Sequence, residues 1–128
     1  MMLESRESVE KWLQDYNVKD FTIDRDLNVD VYGDVNIKSR GLIEIPIRFR
    51  FVSGSFVCGF NKLTSLIGCP VDVGGNFICK ENLLVSLDGC PVSVGGDFKC
   101  IRNELTNLNG CPISVGGNSV NPDLVLRG

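Results

Sequence analysis

Apolar residues recur in the middle of the chain with a fixed period of 21 residues. Three copies of one unit follow each other without a gap, at residues 52–72, 73–93 and 94–114. Each copy holds the same apolar and turn residues, which in the second copy are Phe77, Cys79, Asn82, Leu84 and Leu87. A fixed period of this length is typical of a solenoid, in which each repeat forms one coil. We therefore predict a mainly β protein, a parallel β-solenoid with 21-residue coils.

The period extends beyond the three clear copies in a weaker form. The stretch 31–37 lies two periods before 73–79, and Val115 opens a further unit that Pro122 interrupts. Irregular end repeats are expected, because an end coil has a neighbour on one side only. We predict about five coils including these ends, and the general rule for parallel crossovers makes the solenoid right-handed.

The residues before the repeats predict a cap. Ser5 to Tyr16 is an amphipathic helix in which Val9, Trp12, Leu13 and Tyr16 share one face. These side chains either pack over the open end of the coil stack or, for the two aromatic residues, form a binding site; packing is favoured. Residues 21–23 and 27–31 alternate around a turn and predict a β-hairpin. The chain then reads as one domain, with a cap at 1–30, a solenoid at 31–121 and a tail at 122–128.

Residues 43–51 alternate between apolar and polar side chains over nearly their whole length. We expect the apolar ones to point inward, namely Ile45, Ile47, Phe49 and Phe51. Arg48 and Arg50 then point outward near Lys38 and Arg40. These four side chains are either a basic patch for phosphate or acidic protein, or an ordinary solvated face, and the solvated face is favoured.

Each part of a repeat has a predicted structural role. The segment 76–80 is expected to be the one strand of its coil, with Phe77 and Cys79 inward, and the rest of the repeat is the crossover. The Asn82 side chain can satisfy buried backbone groups at the turn, and a column of such asparagines can bond to each other. Gly-Cys-Pro forms the second corner and the Gly74-Gly75 pair the return into the next strand. A phosphate-binding glycine loop would need a helix and a Lys-Ser/Thr that do not follow here.

Composition narrows the function further. The formal charge is −3 and the pI is about 4.9, which disfavours nucleic acid and membrane surfaces as partners. The chain has no histidine, so the commonest general base and metal ligand is missing, and we expect no catalysis, metal or cofactor.

The six cysteines of the chain form two columns without a CxxC motif. They are either disulfide-bonded or, as we favour, reduced core residues. With no secretory signal and no membrane span, we expect a cytoplasmic protein, monomeric or a small homo-oligomer.

The repeat pattern F-x-C-x-x-N-x-L-x-x-L-x-G-C-P resembles a leucine-rich repeat, and in particular the short bacterial class. Phe77, Cys79, Asn82, Leu84 and Leu87 occupy that family's strand and turn positions, whereas Gly74 stands where its first leucine would be. The repeat variant L-T-S-L-x-G-C-P, together with the predicted helix and hairpin before it, makes the chain similar to uncharacterised repeat proteins of tailed bacteriophages. The resemblance implies a solenoid that binds a host protein, such as a defence protein, on its strand face in the bacterial cytoplasm and modulates or inhibits it.

The candidate site follows from strand alternation. If Phe77 and Cys79 point inward, Asn76, Ile78 and Lys80 point outward, and the same offsets apply in the other coils. We predict a partner-binding face with an apolar centre and a charged rim. Its residues are Val57, Phe60, Asn76, Ile78, Lys80, Glu81, Asp97, Lys99, Ile101 and Arg102.

Three functions compete for this face. A protein-binding module is favoured. The alternative is a nucleic-acid or nucleotide binder using lysine and arginine of the strand face and first coil, although only Phe60 could stack on bases. An enzyme would have to use Asp97 or Glu81 without any partner set, and a passive role in a virion is the remaining possibility. The apolar residues of the face could also be there only because β-branched side chains favour strands.

Overall fold

The computed structural model describes residues 1–106, 112 and 114–117, and the backbone of 119–120. These residues form one helix and eleven short strands. In chain order they are α1 (Arg6–Asp15), β1 (Phe21–Ile23), β2 (Asn28–Val31), β3 (Val35–Asn36), β4 (Arg48–Val52), β5 (Phe56–Val57), β6 (Asp72–Val73), β7 (Phe77–Ile78), β8 (Ser93–Val94), β9 (Phe98–Lys99), β10 (Ser114–Val115) and β11 (Ser119–Val120). The predicted tail 122–128 lies outside the described residues.

The strands build two sheets, and this is the main departure from the sequence prediction. Sheet A has the order β1-β2-β4-β6-β8-β10, and sheet B has the order β11-β9-β7-β5-β3. All pairings are parallel except β1 with β2. Each coil therefore carries two strands, and the expectation of one strand per coil was wrong. The stack makes about four turns rather than five.

The 21-residue period sets the register of both sheets. Phe56 pairs with Phe77 and Phe77 with Phe98 in sheet B, while Val52 pairs with Val73 in sheet A. Identical residues are thus placed over each other at the spacing between strands, about 4.8 Å. The parallel β-solenoid with coils of about 21 residues is confirmed.

The core is a set of stacked columns, as predicted. The rings of Phe56, Phe77 and Phe98 lie with centroids 5.8 Å apart at each step and interplanar angles of 11° and 9°. The other columns contain only buried side chains: Cys58, Cys79 and Cys100; Leu63, Leu84 and Leu105; Leu66 and Leu87; and Val52, Val73 and Val94 from sheet A.

The N-terminal cap closes one end of this core. Ser5 caps α1, because its Oγ accepts the Ser8 backbone N–H at 3.1 Å. The helix buries Val9 and Leu13 completely. Trp12 stacks on Tyr16 with ring centroids 4.1 Å apart and faces the edge of Phe49 at 6.3 Å. The predicted helix and hairpin are confirmed, and β2 is also the first parallel strand of sheet A.

A β-bulge changes the alternation at the end of the 43–51 stretch. Val29 pairs with Phe49 and Asp30 with Phe51, so Arg50 is the additional residue in β4. Ile45, Ile47 and Phe49 are buried as expected. Phe51 was expected to point inward, but it is half-buried and packs on the exposed Tyr32, while Val52 takes the core position.

The asparagine that recurs at the same position of each repeat forms hydrogen bonds with backbone groups. The Oδ1 of Asn82 accepts the Leu63 N–H at 3.0 Å, and its Nδ2 donates to the carbonyls of Cys58 and Cys79, both at 3.0 Å. Asn61 and Asn103 make the equivalent bonds. The expectation that they satisfy buried backbone groups is confirmed. They do so by joining one coil to the preceding one, not by bonding to each other.

Candidate functional site

The predicted site lies on the outer side of sheet B. Side chains alternate there as expected: Phe77 and Cys79 are fully buried, while Ile78 and Lys80 are half-exposed. Because β5, β7 and β9 are in register, residues at the same offset form columns across the coils. We call this surface the sheet B face. Its described columns are Asp34, Ser55, Asn76, Asp97; Asn36, Val57, Ile78, Lys99; Lys38, Gly59, Lys80, Ile101; and Ser39, Phe60, Glu81, Arg102.

The first of these columns holds the coils together. The Ser55 N–H donates to Asp34 Oδ1 at 2.8 Å, the Asn76 N–H to Ser55 Oγ at 3.0 Å, and the Asp97 N–H to Asn76 Oδ1 at 2.8 Å. The side-chain oxygen also fills the space beside the next turn, since a Cβ on Gly96 would lie 2.2 Å from Asn76 Oδ1. Asn76 and Asp97, predicted as partner contacts, therefore have a structural role on the edge of the face.

Lys80 and Phe60 form one unit in the middle of the face. A Cβ on Gly59 would lie 2.9 Å from the backbone oxygen of Lys80 and 3.5 Å from Lys80 Cγ, so glycine lets the backbone and the stem of this lysine come close. The Lys80 ammonium lies 5.5 Å from the centroid of the Phe60 ring. At an exposed site such a cation–π contact contributes about 0.5–1 kcal/mol. The notch at Gly59 thus lets a lysine of one coil lie on an aromatic ring of the preceding coil.

The last column occupies a left-handed backbone conformation. Phe60, Glu81 and Arg102 have φ angles of 56°, 59° and 58°, and Ser39 precedes them with 57°. This region suits glycine or asparagine and is uncommon for a bulky aromatic residue. Phe60 nevertheless stands there with 49% of its surface exposed. Neither burial nor backbone preference accounts for a phenylalanine at this corner.

The charged rim is only loosely paired. Arg102 Nε lies 3.2 Å from Glu81 Oε1, and the two side chains are 72% and 38% exposed. An ion pair this exposed contributes little to stability. Lys99 lies in register beside Ile78 on the neighbouring strand. The structure therefore brings the apolar residues Val57, Ile78, Ile101 and Phe60 and the charged residues Lys80, Glu81, Lys99 and Arg102 onto one surface.

Two arginines of the proposed basic patch, Arg40 and Arg50, already contact other residues of the chain. Arg50 donates to Asp30 Oδ2 at 2.7 Å and to Asp24 Oδ2 at 3.1 Å, and these carboxylates hold the pKa of its guanidinium above the usual range. The Arg40 guanidinium lies 4.7 Å above the ring of Tyr16. Two of the four residues proposed for a basic patch thus support the cap and the bulge, which leaves the sheet B face as the stronger candidate.

The structure also shows exposed apolar residues that the sequence reasoning did not select. Directly before the sheet A strands β6 and β8, Val71 and Val92 are 47% and 48% exposed and lie one period apart. Leu83, Val85 and Ile67 are exposed on the stretch that connects sheet B back to sheet A. Val71 and Val92 each directly follow the proline of a Gly-Cys-Pro motif. This recurring position was the sequence signal that could have identified them as an exposed apolar pair. A small cleft of about 150 Å³ lies near Ile67, with Met1, Met2, Glu44, Ile45 and Ser65 as its other lining residues.

The cysteines are structural residues in this fold. Cys58, Cys69, Cys79 and Cys100 are buried, Cys90 is half-buried, and none of these five forms a disulfide, whereas Cys111 lies outside the described residues. Burial raises the pKa of the Cys69 and Cys79 thiols well above the usual value, which suppresses the reactive thiolate. Within the described part of the chain, no group of three or more cysteine or acidic side chains is placed to hold a metal ion. Nor does this part contain a helix with the length and apolar character needed to cross a membrane.

Comparison with protein-family models, with the curated proteins and with the solved structures finds no match to this chain. The solenoid is established by the structure itself. The resemblance to leucine-rich repeats and to phage repeat proteins stays a prediction.

Proposed function

We propose that this protein is a non-catalytic protein-binding module whose partner docks on the sheet B face. The observation that carries the proposal is Phe60, a half-exposed aromatic ring held in a left-handed corner of the face that also carries Val57 and Ile78. A backbone conformation that costs free energy at an exposed site is a reason to look for function there. Aromatic residues surrounded by charged ones are also typical of the centre of protein interfaces.

The resemblance to phage repeat proteins adds the expectation that the partner is a host protein, whose activity the bound solenoid modulates or inhibits. The absence of catalysis is supported by the roles of the acidic candidates. Glu81 is paired with Arg102, and Asp97 lies in the column that joins the coils. Nucleic-acid binding is the second candidate, favoured by the lysines and Arg102 on the same face.

The test is a pair of matched double variants. In the first, Phe60→Asn keeps a residue that tolerates the left-handed conformation, and Ile78→Asp places a charge at the centre of the face. The control carries Ile67→Asn and Val85→Asp, which introduce the same two polar residues at apolar positions that are 61% and 60% exposed outside the sheet B face. A photo-crosslinking residue at position 60 identifies the partner in bacterial lysate, and titration calorimetry with the purified partner follows.

We expect the face variant to lose at least about 2 kcal/mol of binding free energy, as for an interface hot spot, while the control binds like the wild type. Thermal unfolding of each variant shows whether it is folded at the assay temperature. Equal loss of affinity in both variants, or normal binding by a folded face variant, would remove the sheet B face from the proposal.

A further inference from the structure

The charges of the sheet B face differ from those of the whole chain. In the three columns that follow the Asp34–Asp97 column, four described side chains are basic, Lys38, Lys80, Lys99 and Arg102, and only Glu81 is acidic. Four positive charges against one negative give these three columns a formal charge of +3, and with Asp34 and Asp97 of the first column the sheet B face carries +1, whereas the whole chain carries −3. The basic character is therefore a property of this face and not of the composition.

The acidic residues of the first column are set at the edge of the face. Asp34 Oδ1 accepts the Ser55 N–H, and Asp97 stands in line with it three coils on, joined through Ser55 and Asn76. The face thus has an acidic edge next to the Gly-Gly pairs, such as Gly74-Gly75. Its basic side lies next to the recurring asparagines, such as Asn82. A charge gradient of this kind favours one orientation of a charged partner.

The cations of the face belong to the coils on either side of one uncharged coil. Lys38 belongs to β3's coil, Lys80 to β7's coil, and Lys99 and Arg102 to β9's coil. The coil between the first two contributes Val57, Gly59 and Phe60, none of which is charged. The Lys80 ammonium reaches back over the Phe60 ring of this coil, which stays 49% exposed.

We infer that the partner presents an extended acidic segment that runs along the solenoid across the coils. In this segment, acidic residues that meet Lys38 on one side and Lys80, Lys99 or Arg102 on the other flank an apolar side chain that packs on Val57 and on the exposed part of Phe60. This inference rests on the proposed protein-binding function and specifies the partner's chemistry. Phosphates of a single-stranded nucleic acid would also meet the lysines, but the uncharged middle coil matches a protein segment better, since every nucleotide carries a charge.

The test is affinity selection of a random peptide library on immobilised protein. Three proteins are compared: the wild type, the variant Lys80→Glu with Lys99→Glu, and the control Lys19→Glu with Lys62→Glu. Both control lysines are exposed and lie outside the sheet B face. The two variants have the same net charge, because each replaces two lysines with glutamates. The readout is the mean net charge of the enriched peptides and the spacing of their acidic residues.

We expect the wild type and the control to enrich acidic peptides with an apolar residue between the acids, and the face variant to lose them. For one enriched peptide, the affinity should fall about tenfold or more in the face variant and should weaken as salt rises. Glu81→Gln, which removes the one acid of the three columns and frees Arg102, should tighten binding.

Two results would overturn the inference, and they are distinguishable. If the wild type enriches neutral or basic peptides that the Phe60→Asn and Ile78→Asp variant fails to bind, the acidic partner class is wrong while the protein-binding function stands. If no enriched peptide depends on the face, and a single-stranded oligonucleotide binds with dependence on Lys80 and Lys99, both the inference and the proposed function are wrong.

Discussion

The asparagine of each repeat offers the sharpest test of how the coils are joined. Asn82 is 5% exposed, and replacing it with leucine keeps a side chain of similar length but removes every hydrogen bond. The carbonyls of Cys58 and Cys79 would each retain one donor, because Asn61 and Asn103 also bond to them. The Leu63 N–H would have no acceptor.

The expected cost follows from these three changes. An orphaned buried N–H costs about 1–3 kcal/mol, and each of the two lost bonds to a carbonyl costs about 0.5–1.5 kcal/mol. The apolar leucine returns part of this by its burial. We therefore expect Asn82→Leu to lower the free energy of unfolding by about 2–5 kcal/mol, a large share of the ~5–15 kcal/mol typical of a domain.

Urea unfolding measures this effect with two probes. Far-ultraviolet circular dichroism reports on the sheets, and the fluorescence of Trp12 reports on the cap, which a locally opened coil need not disturb. The matched control is Asn36→Leu, since Asn36 is exposed and accepts only the Lys38 N–H at 3.3 Å in the described structure. A loss below about 1 kcal/mol for Asn82→Leu, or an equal loss for the control, would refute the assigned role.

Two further predictions concern the thiols and Asp24, which lies in the turn between β1 and β2. In native protein purified in its reduced form, maleimide should label the cysteines slowly and the half-buried Cys90 first among the five described ones, with complete labelling in urea. Disulfides found by mass spectrometry in a separate sample, whose thiols were blocked at lysis, would contradict this. Hydrogen bonds from the backbone and side chain of Asn28 hold the pKa of Asp24 below 3.8. A carboxyl with a lowered folded-state pKa stabilises the fold above the unfolded value, so the stability difference between wild type and Asp24→Asn should shrink as the pH falls below 3.8, and a difference that grows in acid would contradict it.

The sequence alone determined the stacking of this protein. Phe56, Phe77 and Phe98 repeat at one step with Cys58, Cys79 and Cys100, and only a solenoid of 21-residue coils buries all of these columns together. The inward and outward assignment on sheet B followed from the same pattern, because strand side chains alternate. The positions of Val57, Ile78, Lys80 and Lys99 on one face were therefore predictable.

Only the tertiary structure decided how neighbouring coils bond to each other. Strands of two residues, such as Asp72–Val73, are too short to leave a pattern, and they exist because Val71 and Gly74 donate to the carbonyls of Arg50 and Val52 in the preceding coil. The same holds for the bulge at Arg50, which depends on its alignment with Asp30. It holds also for Asn76, which looked like a free surface residue and instead accepts a backbone N–H. Each of these features is set by contacts between residues about 20 positions apart in the chain, which local periodicity does not encode.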